Sequence, residues 1–326
     1  MLAAVLGATG FIGGHIVRAL NQAKIDVRVV RRSRGESLAL KDLTYEDMHG
    51  DLDDADSLKN AFEGVDVIFN SAGYYPIYSL GKQSQIDIAL SQIKNFIEAV
   101  NASKASKVIY TSSLSTMGYN PNGLSDENTP YDTHHFKGAY YEMKYAVEQK
   151  LLRATKNGSP IVIINPTCIF GDHDVKPTSG QIIVAIAKKQ FPAIIQAKAN
   201  IIDVRDVAKA QVAAIQRGKI GERYILGSHN TDAITMCETI AKIAKVTPPK
   251  IKIPLALAEG AAIISEVFGK ILHQEKPALP LVGIHFLKYG MHYNCQKAQR
   301  ELGLTHTPME ETFDRTLRWF GKNGYL

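Results

Sequence analysis

Tyr140 and Lys144 stand four residues apart in the segment Gly138-Ala139-Tyr140-Tyr141-Glu142-Met143-Lys144-Tyr145. On a helix that spacing puts both side chains on one face. A free tyrosine has a pKa near ~10. A neighbouring ammonium favours the phenolate and moves the hydroxyl toward working pH, where it can pass a proton to or from a substrate oxygen. Tyr141 and Tyr145 repeat the spacing without a lysine and read as packing residues. A cluster of hydroxyls, Thr111-Ser112-Ser113, ends the apolar run that starts at Lys107. At the carboxyl end of a parallel strand a hydroxyl lies on the edge where such sheets bind ligands. The plainer use for it is to cap a turn.

The segment Gly7-Ala8-Thr9-Gly10-Phe11-Ile12-Gly13 sits between an apolar run and a helical pattern. Glycines at these positions let the backbone turn sharply and approach a pyrophosphate. The following helix offers its free N–H groups and the positive end of its dipole. After the second strand an acidic residue would bind the ribose 2′-hydroxyl of NAD. This chain reads Val29-Val30-Arg31-Arg32-Ser33-Arg34 instead. Guanidinium groups match a 2′-phosphate in charge and in bidentate geometry, so Arg31 and Arg32 point to NADP(H) over NAD(H). Asp51-Leu52 suits an adenine edge, and Ser71-Ala72-Gly73 would lie under the cofactor, where small residues allow close approach.

These groups need a scaffold, and the first half of the chain supplies its pattern. Strands are expected at Leu2–Leu6, Asp26–Val30, Val65–Asn70, Lys107–Thr111 and Ile161–Asn165. Helices are expected over about Phe11–Gln22 and Tyr140–Ala154. Strand–helix alternation of this kind makes a doubly wound parallel sheet, a Rossmann α/β fold. Beyond residue 166 the pattern changes, with Pro166, Pro177 and Pro192 in irregular stretches. Another strand is expected within Gly221–Gly227, and apolar helices at Thr235–Lys245, Leu255–Ile271 and Met309–Phe320. The division expected is a cofactor domain over 1–166, with returning segments near 200–230. A smaller, mostly helical substrate lobe would take 167–199 and 231–326.

Composition narrows the class. Apolar residues make up 45% and charged residues 21%, which is ordinary for a globular chain of 326 residues and excludes a disordered or collagen-like one. Cys168, Cys237 and Cys295 lie far apart, so neither a disulfide framework nor a metal site is expected. The net charge of +6 comes from scattered basic residues with no nucleic-acid-binding motif, so an anionic small molecule is the expected partner. Met1 runs straight into an apolar strand, without the basic region and cleavage site of a targeting segment. Glu259, Glu266 and Lys270 interrupt the apolar stretch Pro254–Leu272, which reads as a buried helix rather than a membrane span. The expectation is a cytoplasmic protein with no membrane partner.

Taken together, the glycine loop, Thr111-Ser112-Ser113, the Tyr140/Lys144 pair, Asn165-Pro166-Thr167-Cys168-Ile169-Phe170-Gly171 and Ile202-Asp203-Val204-Arg205-Asp206-Val207-Ala208 resemble the extended short-chain dehydrogenase/reductase superfamily. Tyr110-Thr111-Ser112-Ser113, Ile182–Ala185 and Gly221–Gly227 look most like its dihydroflavonol-reductase-like and hopanoid-associated sugar epimerase groups. The resemblance implies that Tyr140 is the proton donor or acceptor. Lys144 would hold the nicotinamide ribose and tune Tyr140. Ser113, which stands five residues before Gly118, would polarise a substrate carbonyl. Pro166, Thr167 and Cys168 would pass by the nicotinamide. Asp87 and Asp203 stand where relatives carry asparagine and histidine, and neither is given a role. A homodimer through helices flanking the Tyr140 segment is also implied.

Three functions follow from this resemblance. The first is NADPH-dependent reduction of a ketone or aldehyde. The second is epimerisation or dehydration of a nucleotide-diphosphate-sugar with bound NAD(P), and the third is sensing of NADP(H) without turnover. Family dehydratases place Thr-Asp-Glu where this chain has Ser113-Leu114-Ser115, and many epimerases place an arginine on the sugar diphosphate where this chain has Ala199. The intact Tyr–Lys pair argues against a sensor. Reduction is therefore preferred. The loop Tyr74-Tyr75-Pro76-Ile77-Tyr78 and the stretch from Tyr119 to Phe136 are rich in aromatics. That suits an apolar or ring-bearing substrate as well as it suits lobe packing. His134 and His135 in that stretch read as surface polar residues.

Overall fold

Leu2–Leu6 is apolar throughout and buried on both faces, as a central strand of a covered parallel sheet must be. In the computed structural model, which describes residues 1–326 apart from Ile77, Leu80, Phe191, Pro192 and Glu275, it is the first strand, β1. Ile77 of the aromatic loop and Pro192 thus lie outside the described residues.

The other strands are β2 (Asp26–Arg31), β3 (Glu46–His49), β4 (Val67–Asn70), β5 (Lys107–Thr111), β6 (Ile161–Pro166), β7 (Cys168–Phe170), β8 (Ala193–Ile194), β9 (Lys198–Asp203), β10 (Arg223–Leu226), β11 (His229–Asp232) and β12 (Ile251–Lys252). The helices are α1 (Phe11–Gln22), α2 (Ala55–Ala61), α3 (Lys82–Ala102), α4 (Ala139–Lys156), α5 (Gly180–Ala187), α6 (Val204–Arg217), α7 (Ala233–Ala244), α8 (Leu255–Ile271), α9 (Leu281–Lys288), α10 (Gln296–Leu302) and α11 (Met309–Lys322).

Seven parallel strands run in the order β10-β6-β5-β4-β1-β2-β3. Helices α2, α3 and α4 pack side by side, and α1 packs on α6, so the sheet is the Rossmann-like α/β fold. Strand order reverses between β1 and β4, which opens a crevice at the carboxyl edge. Register brings the site residues to that edge. Leu6 pairs with Val30 on one side and Asn70 on the other, so Gly7 and Ser71 leave the sheet together beside Arg31, the last residue of β2. Asn70 pairs with Tyr110, and Thr111 with Ile164.

The second half departs from its expectation in two ways. A small sheet, β11-β9-β7, underlies α5, α7 and α11, and a two-stranded sheet joins β12 to β8. Strands β7, β8 and β12, of two or three residues, are too short to show a period-2 pattern in sequence. The small sheet carries its own core, with Phe170, Ile183, Ile240, Phe313 and Phe320 fully enclosed. The expected buried helix at Pro254–Leu272 is a helix, but it is not buried. Only Ala258, Ala262, Glu266 and Gly269 are enclosed, because α8 lies at the rim and packs one face on α9. No described helix is long and apolar enough to cross a membrane.

Two glycines show how closely the scaffold is packed at the edge and how loosely at the rim. A Cβ on Gly13 would sit 2.2 Å from the Gly7 carbonyl oxygen, whereas one on Gly260, in the middle of α8, would meet nothing within 4 Å. Gly13→Ala is expected to destabilise the fold by about 1–3 kcal/mol, as overpacking does. Gly260→Ala should stabilise it by about 0.5–1 kcal/mol through the unfolded chain. Thermal melts of both variants check the pair, and shifts of the same sign would contradict this packing.

Candidate active site

The glycine loop is shaped by contact with the next strand. Gly7 has φ +84°, and a Cβ there would lie 2.7 Å from the Ala72 backbone nitrogen. Ser71 closes the same corner by donating from N (2.9 Å) and Oγ (3.1 Å) to the Leu6 carbonyl. Gly10 caps α1 without a side-chain acceptor, and the first turn carries no acid. Its leading N–H groups are therefore open to an anion. Thr9 and Gly10 are exposed, while Phe11 and Ile12 are half-buried. Leu52 is held by Asn95 Nδ2 on its carbonyl at 2.9 Å, and Asp51 receives the Asp53 N–H. The cradle and the open helix end fit a dinucleotide, and so does the Thr167 Oγ1, which is buried without a partner between β6 and β7.

The structure separates the two arginines that the sequence reading treated alike. Arg31 grips Asp47 with Nε at 2.8 Å and Nη2 at 2.5 Å, and its Nη1 donates to the Gly35 carbonyl at 2.6 Å. This pairing holds the Asp47 carboxyl below the usual range. Arg32 and Arg34 are exposed on the turn beyond. The register of β2 against β3, Val29 opposite Asp47, decides this, and it is not visible in a single strand.

Ser113 and Tyr140 meet from different elements. The Tyr140 hydroxyl donates to Ser113 Oγ at 3.3 Å, and Ser115 donates to the same atom from Oγ (3.0 Å) and N (3.2 Å). Three contacts exceed the two lone pairs of a hydroxyl oxygen, so one of the two hydroxyl contacts runs the other way, with the Ser113 O–H donating. Ser113 also caps the 3-10 turn Leu114–Thr116, so the functional and the capping readings both hold geometrically. Ser112 points away and donates to Glu148 at 2.5 Å. Lys144 Nζ lies 5.8 Å from the Tyr140 ring centre and 4.0 Å from the place of a Cβ on Gly73. Burial lowers the Lys144 pKa to about 8. Burial also raises the Tyr140 hydroxyl above its ordinary value, against the pull of Ser113 and Ser115. The expected lowering of Tyr140 is thus outweighed, because a desolvated phenolate costs more than these neighbours return.

Rings wall the site. Tyr75 and Phe286 each centre 5.3 Å from the Tyr140 ring. Tyr119 stacks on His135 at 4.3 Å. Tyr141 and Tyr145 pack on Phe136 and Tyr131. A cleft of about 310 Å³ adjoins the start of α4, lined by Lys137, Gly138, Glu142, Glu266, Leu281 and His285. Phe286 had no signal in sequence, since α9 reaches the site from far along the chain.

A buried carboxylate beneath the site was also missed. Glu148 is 0% exposed and accepts from Ser112, Thr116 (2.7 Å), Asn165 (2.7 Å) and Arg223 (3.2 Å). Its place one turn beyond Lys144 on the same helix face was the signal available. Asp87 receives Gln83, and Asp203 caps α6 and accepts from Thr312 and Arg315. His15, Asp172 and His173 bring ligand atoms within 4.8 Å of one another. Arg315 Nε donates to that Asp172 carboxylate at 3.1 Å, which places a cation where a metal would need a free anion.

Comparison with known proteins gives the family and the fold. The family model described as the NAD dependent epimerase/dehydratase family matches residues 3–227. A Synechocystis sp. protein provisionally named a dihydroflavonol 4-reductase is 32% identical over 99% of this chain and 95% of its own length. Sterol demethylase protein B of Methylococcus capsulatus is 27% identical over the full length of both. The crystal structure of a nucleoside-diphosphate-sugar epimerase from Pseudomonas aeruginosa superposes with a TM-score of 0.84 at 26% identity, covering 100% of this chain and 99% of that one. The chain therefore belongs to the NAD dependent epimerase/dehydratase family and is an NAD(P)-dependent enzyme of the extended short-chain dehydrogenase/reductase class.

Proposed function

We propose that this enzyme reduces a ketone or aldehyde on an apolar, ring-bearing small molecule, with NADPH as its cofactor. The observation that carries the reading is the Ser113–Tyr140 pair, two hydroxyls 3.3 Å apart under aromatic rings at the cofactor edge. The substrate carbonyl oxygen lies between them. Ser113 donates to it and polarises the carbonyl, and Tyr140 delivers its proton to the same oxygen as the alkoxide forms. When bound, the dinucleotide would supply the hydride from its nicotinamide; Gly7, Thr9, Gly10, Phe11, Ile12 and Gly13 would hold its pyrophosphate, Asp51 and Leu52 its adenine, Ser71, Ala72 and Gly73 would lie under it, and Pro166, Thr167 and Cys168 would pass by the nicotinamide. Lys144 is largely protonated below its pKa of about 8, so its ammonium steadies the tyrosinate left behind. Arg32 is the arginine for the 2′-phosphate, since Arg31 is spent on Asp47.

Two relatives bear on the substrate. One is named for a dihydroflavonol and another for a sterol, both ring compounds. The epimerase structure supports a second reading, action on a nucleotide-diphosphate-sugar. Ala199 in β9 offers no guanidinium for a diphosphate, which favours reduction.

Tyr140→Phe keeps the ring and removes the proton. It should lower carbonyl reduction by about 100-fold or more while leaving the NADPH dissociation constant unchanged, read by fluorescence titration and turnover. Near-normal turnover would overturn the assignment. Arg32→Ala should weaken NADPH by about 10–100-fold, the worth of a charge-assisted contact, and leave NADH nearly untouched. Equal losses for both nucleotides would remove the phosphate role.

Lys144 gives a pH test. Its folded pKa, about 8, lies below the ordinary lysine value, so between these values the unfolded chain binds more protons. Stability from this group therefore rises with pH through that window. The stability of the parent relative to Lys144→Met should increase by about 1–2 kcal/mol from neutral pH to about pH 10, less than the full shift because the side chain keeps some solvent access. A difference that stays flat with pH in paired melts would contradict a buried ammonium.

A further inference from the structure

Helix α8 turns its apolar side outward. Leu257, Ile264, Phe268 and Ile271 are 58–67% exposed, and their spacing of seven, four and three residues puts them on one helix face. Ile263 and Val267 widen the stripe. The inward face is built from Ala258, Ala262 and Gly269, small enough to lie close on neighbouring elements. Both carboxylates of the helix are also turned away from the stripe. Glu266 is buried and receives the N–H groups of Ser79 (2.8 Å) and Leu281 (3.1 Å), and Glu259 holds Lys288 at 2.7 Å. Lysines flank the stripe at each end. Lys250 and Lys252 are exposed just before the helix, and Lys276 is exposed just after it. A helix that faces only water places polar residues there. An apolar patch of this extent with a polar rim marks a partner.

We propose that α8 docks this protein on an anionic bilayer surface, lying in the plane of the interface. The apolar stripe would enter the boundary between headgroups and acyl chains, and the lysines would meet the lipid phosphates. The net charge of +6 acts in the same direction. A second copy fits less well. Two α8 helices paired about a twofold axis would bring Lys250 and Lys252 of one against Lys276 of the other. The sequence expectation of no membrane partner rested on charges that break a span, and those charges do not hinder a helix lying flat.

The docked helix is tied to the site. Tyr78 donates to the Gln274 carbonyl at 2.8 Å, and Ser79 binds Glu266. The segment that sets Tyr75 beside Tyr140 is thereby fastened to α8. The bilayer would then be the source of an apolar substrate, a consequence that rests on the reductase reading above, whereas docking itself does not.

The test is flotation of the full-length protein with vesicles of phosphatidylcholine alone and of phosphatidylcholine with about one third phosphatidylglycerol. Binding to the anionic vesicles should be about tenfold tighter or more, the worth of the flanking lysines. The double variant Ile264→Ser/Phe268→Ser should lose that binding about tenfold and keep its NADPH affinity, which reports an intact fold. Lys250→Glu/Lys252→Glu should erase the preference for anionic lipid. Failure of the parent to bind either vesicle, or equal binding to both, would overturn the proposal. So would a serine variant that binds like the parent, or one whose only change is dissociation of a dimer in gel filtration. Vesicle binding without carbonyl reduction would fail the reductase reading alone. Reduction of a water-soluble ketone without vesicle binding would fail the docking alone.

Discussion

The carboxylate of Glu148 has no access to water, and the active site is built around satisfying it. Ser112 ends β5, Thr116 closes the following turn, Asn165 lies near the end of β6 and Arg223 opens β10, and all four donate to this one side chain on α4. A carboxyl group in such a place is tolerable only when its polar atoms are hydrogen-bonded. Removing one partner from a buried ion pair of this kind costs about 3–5 kcal/mol. The same Asn165 amide also donates to the Ser113 carbonyl at 3.1 Å. The strand ends and the tyrosine helix are thus held in fixed relation, and Ser113 and Tyr140 meet because of it.

The second constraint is the reversal of strand order between β1 and β4. It opens the crevice, and the contacts around Gly7 and Gly13 set how close a phosphate can come. Both constraints act at the same edge of the sheet. One orders the Ser113 and Tyr140 hydroxyls, and the other shapes the glycine loop. The small-sheet core around Phe170 and Phe313 stands apart from these. Even so, α9, between Phe170 and Phe313 in the chain, brings Phe286 to the tyrosine, so the aromatic wall joins segments far apart in sequence.

The site and the rim of the molecule follow opposite rules. At the site, Ser112, Ser113, Thr116 and Glu148 are buried polar groups joined by hydrogen bonds. On α8, apolar groups are exposed and carboxylates are turned inward, where Glu266 anchors two backbone N–H groups. The proposed bilayer contact is where such an outer face would leave water.

Much of this was legible without coordinates. The bounds of β1 and α1 follow from an apolar run and a glycine loop, and the pairing of Tyr140 with Lys144 follows from helical spacing. These are local patterns, and local patterns are governed by periodicity and turn chemistry. What sequence could not decide involves partners from elsewhere in the chain. Arg31 looked like Arg32 until the register of β2 on β3 placed Asp47 against it. Ser113 was separated from Ser112 by resemblance alone until Glu148 took the Ser112 hydroxyl. The apolar run at 254–272 looked like core, because hydropathy records what a helix carries and not which way it faces. Burial, ion pairing and the direction of a face are properties of packed neighbours, and only the tertiary structure supplies the neighbours.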